Sequence, residues 1–261
     1  MTNSAGTLSN AVSWETNSSE PFGYMSKLSR ILFASISAIG ILVAGYGTFL
    51  LAQTAQQTVW VFDRLDKIGD ANITVEGIPK IIDTPLGKAV EFHGVDDAIW
   101  VDKHPLAGAA TFTFEAVFRP DGGAFEQRWF HLAERDPVTK LLAGVERDTN
   151  ARFLFEIRVV DASWYLDAFV NGPGYNRALM FEDKRHPLGQ WYHVAQTYDG
   201  RVYRSYVNRV LQGEAEIAFK PQSAGAASIG TRIDRRNYFK GAVRLARFTA
   251  RALTPAEFLK P

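Results

Sequence analysis

The chain of 261 residues contains no cysteine. A disulfide framework, a zinc–thiolate site and a cysteine nucleophile all require that residue, so all three are excluded. The absence of cysteine does not place the chain in the cytosol, because a large domain can fold without disulfides even in an oxidising compartment.

The chain also lacks an excess of either charge. It has 29 basic residues (Lys and Arg) and 28 acidic ones, which gives a formal net charge of +1. Proteins that bind nucleic acid usually show a basic stripe, so this balance predicts no nucleic-acid partner. The content of hydrophobic residues, 46%, and of charged residues, 22%, is typical of a globular chain and not of a disordered one.

One long apolar segment lies near the N-terminus. Residues 31–52 include no charged side chain, and these 22 residues match the length of about 20 that a helix needs to cross a bilayer. Lys27 and Arg30 precede the segment, whereas the next basic residue is Arg64. The positive-inside rule therefore predicts a cytoplasmic N-terminus with the remainder outside. A buried core helix is the alternative, but such a helix normally has a polar stripe.

The exported chain has two possible forms. Residues 31–52 either stay as a transmembrane helix, with the membrane as a partner, or act as a signal peptide that is removed. Residues 1–30 are predicted to be a disordered cytoplasmic tail or a start placed too early, since Met25 would give a short basic region directly before the apolar segment. The predicted location is membrane-anchored with the C-terminal domain outside the cytoplasm, or periplasmic or secreted after cleavage.

Beyond residue 53, hydrophobic side chains recur with a period of two, which is typical of half-buried strands. In residues 111–119, one face carries Phe112, Phe114, Ala116 and Phe118, and residues 152–160 show the same alternation. The dipeptide at 199–200 predicts a hairpin, because glycine supplies the positive φ of the turn. Further strands are predicted at 59–62, 89–92, 99–101, 128–132, 164–170, 191–198, 202–207, 227–229 and 242–248.

A single short helix is predicted, at the end of the chain. Thr254 and Glu257 fit a capping box, with Pro255 at the first helical position. Many short strands with almost no helix predict an all-β fold, a two-sheet antiparallel sandwich or jelly roll. Residues 56–261 are predicted to form one such domain after the N-terminal transmembrane or signal helix.

Several motifs resemble, in order, those of LamG-like jelly-roll domains in the concanavalin A-like lectin/glucanase superfamily. Residues 189–200 are similar to the pattern G-x-W-x-H-V-A-x-x-Y-D-G of those domains, and the other matches are at 89–99, 111–120, 206–208 and 238–258. Together they cover roughly residues 88–260. The resemblance implies a concanavalin A-like jelly roll.

The chain departs from this family at positions that bear on calcium. Arg244 replaces an aspartate that in relatives often holds calcium or fixes the sheet edge, and His93 stands where aspartate is common. Asp96 and Asp97 are candidate calcium ligands, because this ion suits oxygen-rich loops. The alternative is a turn capped by those side chains.

Glycosidases of this superfamily place three carboxylates on one face of a strand with the pattern E-x-D-x-E. Here Glu156 and Arg158 share a face, and no second carboxylate follows in step. The pattern is absent, which argues against retaining glycosidase activity by that route. No catalytic residue is assigned.

Polar side chains predicted to share one sheet face form a candidate sugar site. Planar donors and acceptors match pairs of sugar hydroxyls, and aromatic rings suit the apolar faces of sugars. Solvated positions that form cross-strand ion pairs, or catalytic carboxylates, are the alternatives. Trp100, Trp129 and Trp164 are candidates both for exposed platforms and for the core. The predicted ligand-binding residues are His131, Glu134, Glu156, Arg158, Trp164, Tyr165 and Asp167.

The leading hypothesis is an exported, non-catalytic carbohydrate-binding or recognition domain whose partner is a polysaccharide or glycoconjugate. A polysaccharide-acting enzyme with an unrecognised site and a protein–protein interaction module remain open. A groove lined by polar and aromatic groups would favour sugar, whereas a flat apolar patch would favour a protein partner. The fold does not decide among them, because function depends on the site.

Overall fold

The structure, a computed structural model, describes residues 56–136, 138, 140 and 151–260. These residues form strands and one 3-10 turn, and no α-helix occurs among them. The strands, in chain order, are β1 (Gln57–Val61), β2 (Lys67–Ile68), β3 (Ala71–Glu76), β4 (Lys80–Thr84), β5 (Gly87–His93), β6 (Ala98–Val101), β7 (Phe112–Pro120), β8 (Glu126–Glu134), β9 (Arg152–Val160), β10 (Ser163–Gly172), β11 (Tyr175–Met180), β12 (His186–Pro187), β13 (Tyr192–Tyr198), β14 (Val202–Val207), β15 (Val210–Glu216), β16 (Gly225–Ile229) and β17 (Lys240–Thr249).

Across the described ranges, the strands pair into two antiparallel sheets. The eight-stranded sheet has the order β15-β14-β13-β7-β17-β5-β4, with β1 also paired to β17. The nine-stranded sheet has the order β11-β10-β9-β8-β16-β6-β3-β2, with β12 paired to β10. The late strands β16 and β17 thus lie inside their sheets, between strands from much earlier in the chain. This arrangement confirms the predicted all-β, two-sheet antiparallel sandwich.

Aromatic side chains fill the space between the sheets, because period-two strands turn one row of side chains inward. The ring of Trp129 stacks on Phe118, with centroids 4.3 Å apart and planes 3° apart, and on Phe155 at 5.4 Å. All three side chains are fully buried. Residues from both sheets therefore form one continuous aromatic core.

The predicted C-terminal helix is a single 3-10 turn, Pro255–Glu257. The predicted capping contact is present, since the Thr254 N–H donates to Glu257 Oε2 at 2.8 Å. The helix does not continue because Phe258 is extended and buried, with its ring 5.1 Å from that of Tyr206. Packing of Phe258 thus replaces further helical hydrogen bonds.

Membrane attachment is not tested by this part of the chain. Within residues 56–260, as far as they are described, the structure contains no helix with the length and apolarity to cross a membrane. The predicted helix at 31–52, the predicted tail at 1–30 and the alternative start at Met25 all lie outside the described residues. Export and membrane anchoring therefore stay predictions.

Candidate functional site

The outer face of the nine-stranded sheet brings together several of the predicted site residues. Strand β9 turns its hydrophobic side chains into the core, so Glu156 and Arg158 point outward. On the neighbouring strand β10, Asp167 lies opposite Glu156, and Tyr165 lies opposite Arg158 in the antiparallel register. A single hairpin therefore places two carboxylates and a guanidinium side by side.

Strand β8 adds Glu126 and Arg128 to these residues, and we call the five side chains Glu126, Arg128, Glu156, Arg158 and Asp167 the charged cluster. Arg158 contacts Asp167 Oδ2 at 2.7 Å and Glu156 Oε2 at 3.2 Å. Arg128 lies 3.0 Å from Glu156 Oε2 and also pairs with Glu126. Glu156 and Asp167 are each only 4% exposed, so solvent screens these contacts weakly.

Asp167 has an unusual electrostatic setting. Burial raises its pKa to about 7, the charge of Glu156 adds to the rise, and Arg158 and Arg128 oppose it. Its Oδ2 atom pairs with Arg158, whereas no described group forms a hydrogen bond with its buried Oδ1 atom. A buried carboxylate oxygen without a partner is costly to ionise, which agrees with the raised pKa of Asp167.

The members of the charged cluster other than Glu126 line a groove with a volume of about 440 Å³. Strands β8 to β11 supply the floor, and the segment at residues 230–237 supplies a rim of two arginines. Apolar side chains lie beside the charges, which gives the groove a mixed surface. We call it the arginine groove; it is lined by Arg128, Arg152, Leu154, Glu156, Arg158, Asp167, Phe169, Ala178, Met180, Arg232 and Arg236.

Three other predicted ligand-binding residues do not line this groove. His131 is fully buried beneath the 230–237 segment, and its Nδ1 atom accepts a hydrogen bond from the Ile233 N–H at 3.0 Å. Tyr165 is 5% exposed. Glu134, at the end of β8, accepts a hydrogen bond from the Ser223 N–H at 2.6 Å. These contacts favour structural roles for His131 and Glu134.

The tryptophan residues occupy different positions from those expected of exposed platforms. Trp164 and Trp129 are both fully buried, and Trp164 packs edge-on against Tyr192 with centroids 5.0 Å apart. Trp164 is inward because it alternates with the outward Tyr165 on β10. Trp100 is partly exposed, and the guanidinium of Arg235 lies 4.6 Å from its ring centroid.

Sequence reasoning missed the groove residues outside strands β9 and β10. Arg232 and Arg236 reach the groove only because the 230–237 segment folds back over the sheet, and no periodicity encodes that return. The one available signal was the density of arginines at positions 232, 235 and 236. Arg128 lies within a predicted strand, but a β-bulge between Arg128 and Phe130 interrupts the alternation of side chains along β8. The side of the sheet on which Arg128 lies could therefore not be predicted from the sequence pattern.

The predicted metal ligands lie elsewhere, near the start of β6. Asp97 is buried, and its two oxygens accept hydrogen bonds from the N–H groups of Ile78 (2.7 Å) and His93 (2.8 Å). The side chains of His93, Asp96 and Asp97 form a group of three potential metal ligands, of which Asp96 is exposed. The imidazole and the occupied oxygens of Asp97 do not fit calcium, which takes six to eight oxygens. Calcium binding at Asp96 and Asp97 stays a prediction, and the contacts of Asp97 are those of a turn cap.

Arg244, at the position where the resemblance leads us to expect aspartate, has a structural contact. Its Nε atom donates to the main-chain carbonyl of Leu86 in the turn between β4 and β5. The cation thus ties down the sheet edge by a route that needs no metal ion.

Two buried histidines bear on the stability of the domain in acid. Burial lowers the pKa of His104 to about 4. Burial also holds the pKa of His131 well below 6.5, and the charges of Arg232 and Arg152 add to the effect. Both rings therefore stay neutral in the folded protein near pH 6, whereas the unfolded chain protonates them. Asp167 has the opposite effect on stability in acid. Its pKa in the folded protein, about 7, exceeds the ordinary value of 3.8, so the folded protein binds a proton there before the unfolded chain does.

We expect the unfolding free energy to fall as the pH is lowered from 6.5 to about 5. In this range the unfolded chain binds up to two protons more than the folded protein at His104 and His131, His186 with its lowered pKa adds to this difference, and the folded protein binds one at Asp167, so the unfolding free energy falls by roughly 1.4 kcal/mol per pH unit. Urea unfolding at the two pH values measures the slope. In His131→Asn, whose amide oxygen can replace Nδ1 as acceptor of the Ile233 N–H, the slope should decrease by up to about 1.4 kcal/mol per pH unit; an unchanged slope would contradict this account.

A family model described as the concanavalin A-like lectin/glucanases superfamily matches residues 93–258. A comparison with curated protein sequences gives no match.

Solved structures with the same sandwich share little sequence with this chain. Domain 4 of AbnA, an extracellular GH43 arabinanase from Geobacillus stearothermophilus solved with arabinotriose, has a TM-score of 0.56 at 20% identity and covers 78% of this chain and 97% of its own. The binding domain of Paraclostridial Mosquitocidal Protein 1 has a TM-score of 0.52 at 16% identity, over 77% of this chain and 50% of its own. A botulinum neurotoxin type C structure, whose subject is interaction with two ganglioside molecules, gives 0.52 at 9% identity, over 77% and 49%. This chain spans about half the length of those two toxin chains, and the likeness shows the fold.

Proposed function

Because the chain belongs to the concanavalin A-like lectin/glucanases superfamily, we propose that it is a non-catalytic carbohydrate-binding domain whose site is the arginine groove. Relatives of the same fold are named with arabinotriose and with gangliosides. These ligands support glycan binding in general and do not identify the glycan.

The observation that carries this proposal is a groove of about 440 Å³ whose lining combines guanidinium groups, carboxylates and apolar side chains. Sugars present rows of hydroxyl groups, which can pair with guanidinium donors and carboxylate acceptors. Arg158 is held in the lining by its ion pair with Asp167 Oδ2. Phe169 and Met180 add apolar surface against which a sugar ring can pack.

A second candidate, hydrolysis of a polysaccharide, is favoured by one observation. Glu156 on β9 and Asp167 on β10 lie directly opposite each other. The pKa of Asp167 is raised to about 7, mainly by burial. A carboxylic acid with a raised pKa beside a second carboxylate is typical of glycosidases. Against it, Arg158 and Arg128 engage Glu156, and Arg158 also engages Asp167, so neither carboxylate stands free for a reacting sugar.

We expect the full chain to bind one class of glycan on a glycan array, and Asp167→Asn to bind it at least about tenfold more weakly, because the Arg158 guanidinium in the groove loses the carboxylate that holds it. The matched control is Asp83→Asn, whose side chain is 88% exposed on the other sheet and should leave affinity unchanged. If Asp167→Asn binds the glycan as tightly as the unchanged protein, the glycan does not bind in the arginine groove. No bound glycan, from a folded sample, would reject carbohydrate binding.

Incubation of the same glycans with the protein distinguishes binding from hydrolysis, because hydrolysis produces new reducing ends that can be measured. The binding proposal expects no cleavage. Cleavage that disappears in Asp167→Asn would instead establish the enzyme.

A further inference from the structure

Strand β3 carries a short motif that the proposed binding site does not use. Asn72, Ile73 and Thr74 match the pattern N-x-S/T, which marks acceptors of N-linked glycans in exported proteins. Asp70 lies two positions before Asn72, so residues 70–74 also match the stricter pattern D/E-x-N-x-S/T that bacterial oligosaccharyltransferases accept. The whole chain contains N-x-S/T only twice, at 72–74 and at 17–19, on opposite sides of the apolar segment 31–52.

The structure places at the surface both side chains that this modification needs. Residues i and i+2 of a strand point to the same face, so Asn72 and Thr74 lie side by side while Ile73 packs against the core. Both Asn72 and Thr74 are exposed. Neither side chain forms a hydrogen bond or ion pair within the part of the chain that the structure describes. The amide of Asn72 and the hydroxyl of Thr74 are therefore accessible and uncommitted.

The hairpin that presents Asn72 is held by few contacts. Strand β2 lies at the edge of the nine-stranded sheet and has two residues, and only the pairs Lys67–Asn72 and Ile68–Ala71 join it to β3. Asp70 in the turn pairs with Lys103, but its side chain is 77% exposed, so this ion pair contributes little. Such a hairpin opens at low cost, which lets an enzyme engage the acceptor in an extended form.

A pocket beside Asn72 can receive the first sugar of an attached glycan. Asn72 and Thr74 line a cavity of about 400 Å³ whose other walls include Trp100, Val101 and Ile233. Thr74 lies directly opposite the partly exposed Trp100 in the register of β3 and β6. Apolar faces of sugars pack well against aromatic and aliphatic surface. A sugar joined to Asn72 therefore reaches such surface without leaving the protein.

We propose that Asn72 is an acceptor for an N-linked glycan, transferred on the outer side of the membrane from a lipid-linked oligosaccharide. The Asn72 Nδ2 atom forms a bond to C1 of the first sugar, the bond between C1 and the lipid diphosphate breaks, and the lipid diphosphate leaves. The amide nitrogen gives one proton to a base of the transferase. Thr74 supplies the hydroxyl that the transferase recognises. This inference rests on the predicted export and is independent of the arginine groove.

The test uses the full chain in a bacterial host that carries a single-subunit oligosaccharyltransferase and its lipid-linked oligosaccharide donor. We expect the intact mass of the protein to increase by one oligosaccharide. The increase should disappear in Asn72→Gln, which removes the acceptor, and in Thr74→Val, which removes the hydroxyl. It should persist in Thr74→Ser, which keeps the hydroxyl. A mass increase that survives Asn72→Gln would overturn the assignment to this residue.

The second sequence match provides a matched control. Asn17 is followed by Ser19 and preceded by Glu15, so residues 15–19 meet the same stricter pattern. The positive-inside rule places this segment in the cytoplasm, away from the transferase, and Asn17→Gln should leave the mass of the modified protein unchanged. A glycan at Asn17 with none at Asn72 would overturn the inference together with the predicted orientation.

A separate measurement of export makes a negative result decisive. The chain has no cysteine, so the single thiol of an Asp83→Cys variant, at a side chain that is 88% exposed, reacts with a membrane-impermeant maleimide only if the domain lies outside. A labelled domain without a glycan overturns the acceptor role of Asn72. A domain with neither label nor glycan overturns the predicted export on which that role depends. Neither result bears on glycan binding in the arginine groove.

Discussion

Replacement of Trp129 by alanine is expected to lower the free energy of unfolding by about 3–5 kcal/mol. Trp129 is fully buried, and its ring lies between those of Phe118 and Phe155 with a third contact to Phe239 at 5.6 Å. Alanine removes the stacked ring and leaves a cavity that rings from two sheets cannot all move to fill. The variant thus tests whether the two sheets share one core.

Equilibrium unfolding in urea, followed by circular dichroism, measures the loss. The matched control is Trp191→Ala, because Trp191 is partly exposed beside Arg119, with the guanidinium 5.5 Å from its ring. We expect the control to cost about 1 kcal/mol. Similar losses in the two variants would contradict the central position of Trp129.

Replacement of Arg158 by methionine is expected to cost about 3–5 kcal/mol of stability. The side chain of Arg158 is 12% exposed, and it contacts the buried carboxylates of both Glu156 and Asp167. Methionine keeps much of the apolar stem but removes the cation, so two facing carboxylates are left buried with Arg128 alone. Leaving a buried charge without its partner is the most expensive way to disrupt an ion pair.

A double variant separates lost charge balance from lost packing. Arg158→Met combined with Asp167→Asn removes one unpaired carboxylate, so we expect it to be more stable than Arg158→Met alone by about 1–3 kcal/mol. As a surface comparison, Arg201→Met breaks an exposed pair with Glu216 and should cost less than about 1 kcal/mol. A double variant no more stable than the single one would mean that packing of the guanidinium, and not its charge, stabilises the cluster.

The inner strands could be predicted from sequence because burial of one face imposes strict alternation. Residues 152–160 and 202–207 coincide with β9 and β14. Strands β2, β3, β4, β11, β12 and β15 were not predicted. They lie towards or at the sheet edges, where half-exposed positions accept either polar or apolar side chains; on β15, for example, Val210 is 64% exposed. Alternation carries little information where neither face is fully buried.

The site was predictable only where it depends on local pairing. Glu156, Arg158 and Asp167 come together because a short turn at residues 161–162 joins β9 to β10, and their own alternation turns them outward. His131 also lies on the outer face, but the 230–237 segment covers it. That segment is about 100 positions away in sequence, and only the complete fold shows that it both buries His131 and supplies Arg232 and Arg236 to the groove.

The position of β16 and β17 inside their sheets has a consequence for synthesis on the ribosome. Strand β17 separates β7 from β5, and β16 separates β8 from β6. Until these late residues emerge, the earlier strands lack their central partners, and neither sheet can close around the core. We therefore expect this domain to stay unfolded on the ribosome until residues 225–249 have emerged, because long-range pairing cannot begin before its partners exist. A domain that folds this late leaves its aromatic strands exposed during synthesis, which favours aggregation of the nascent chain.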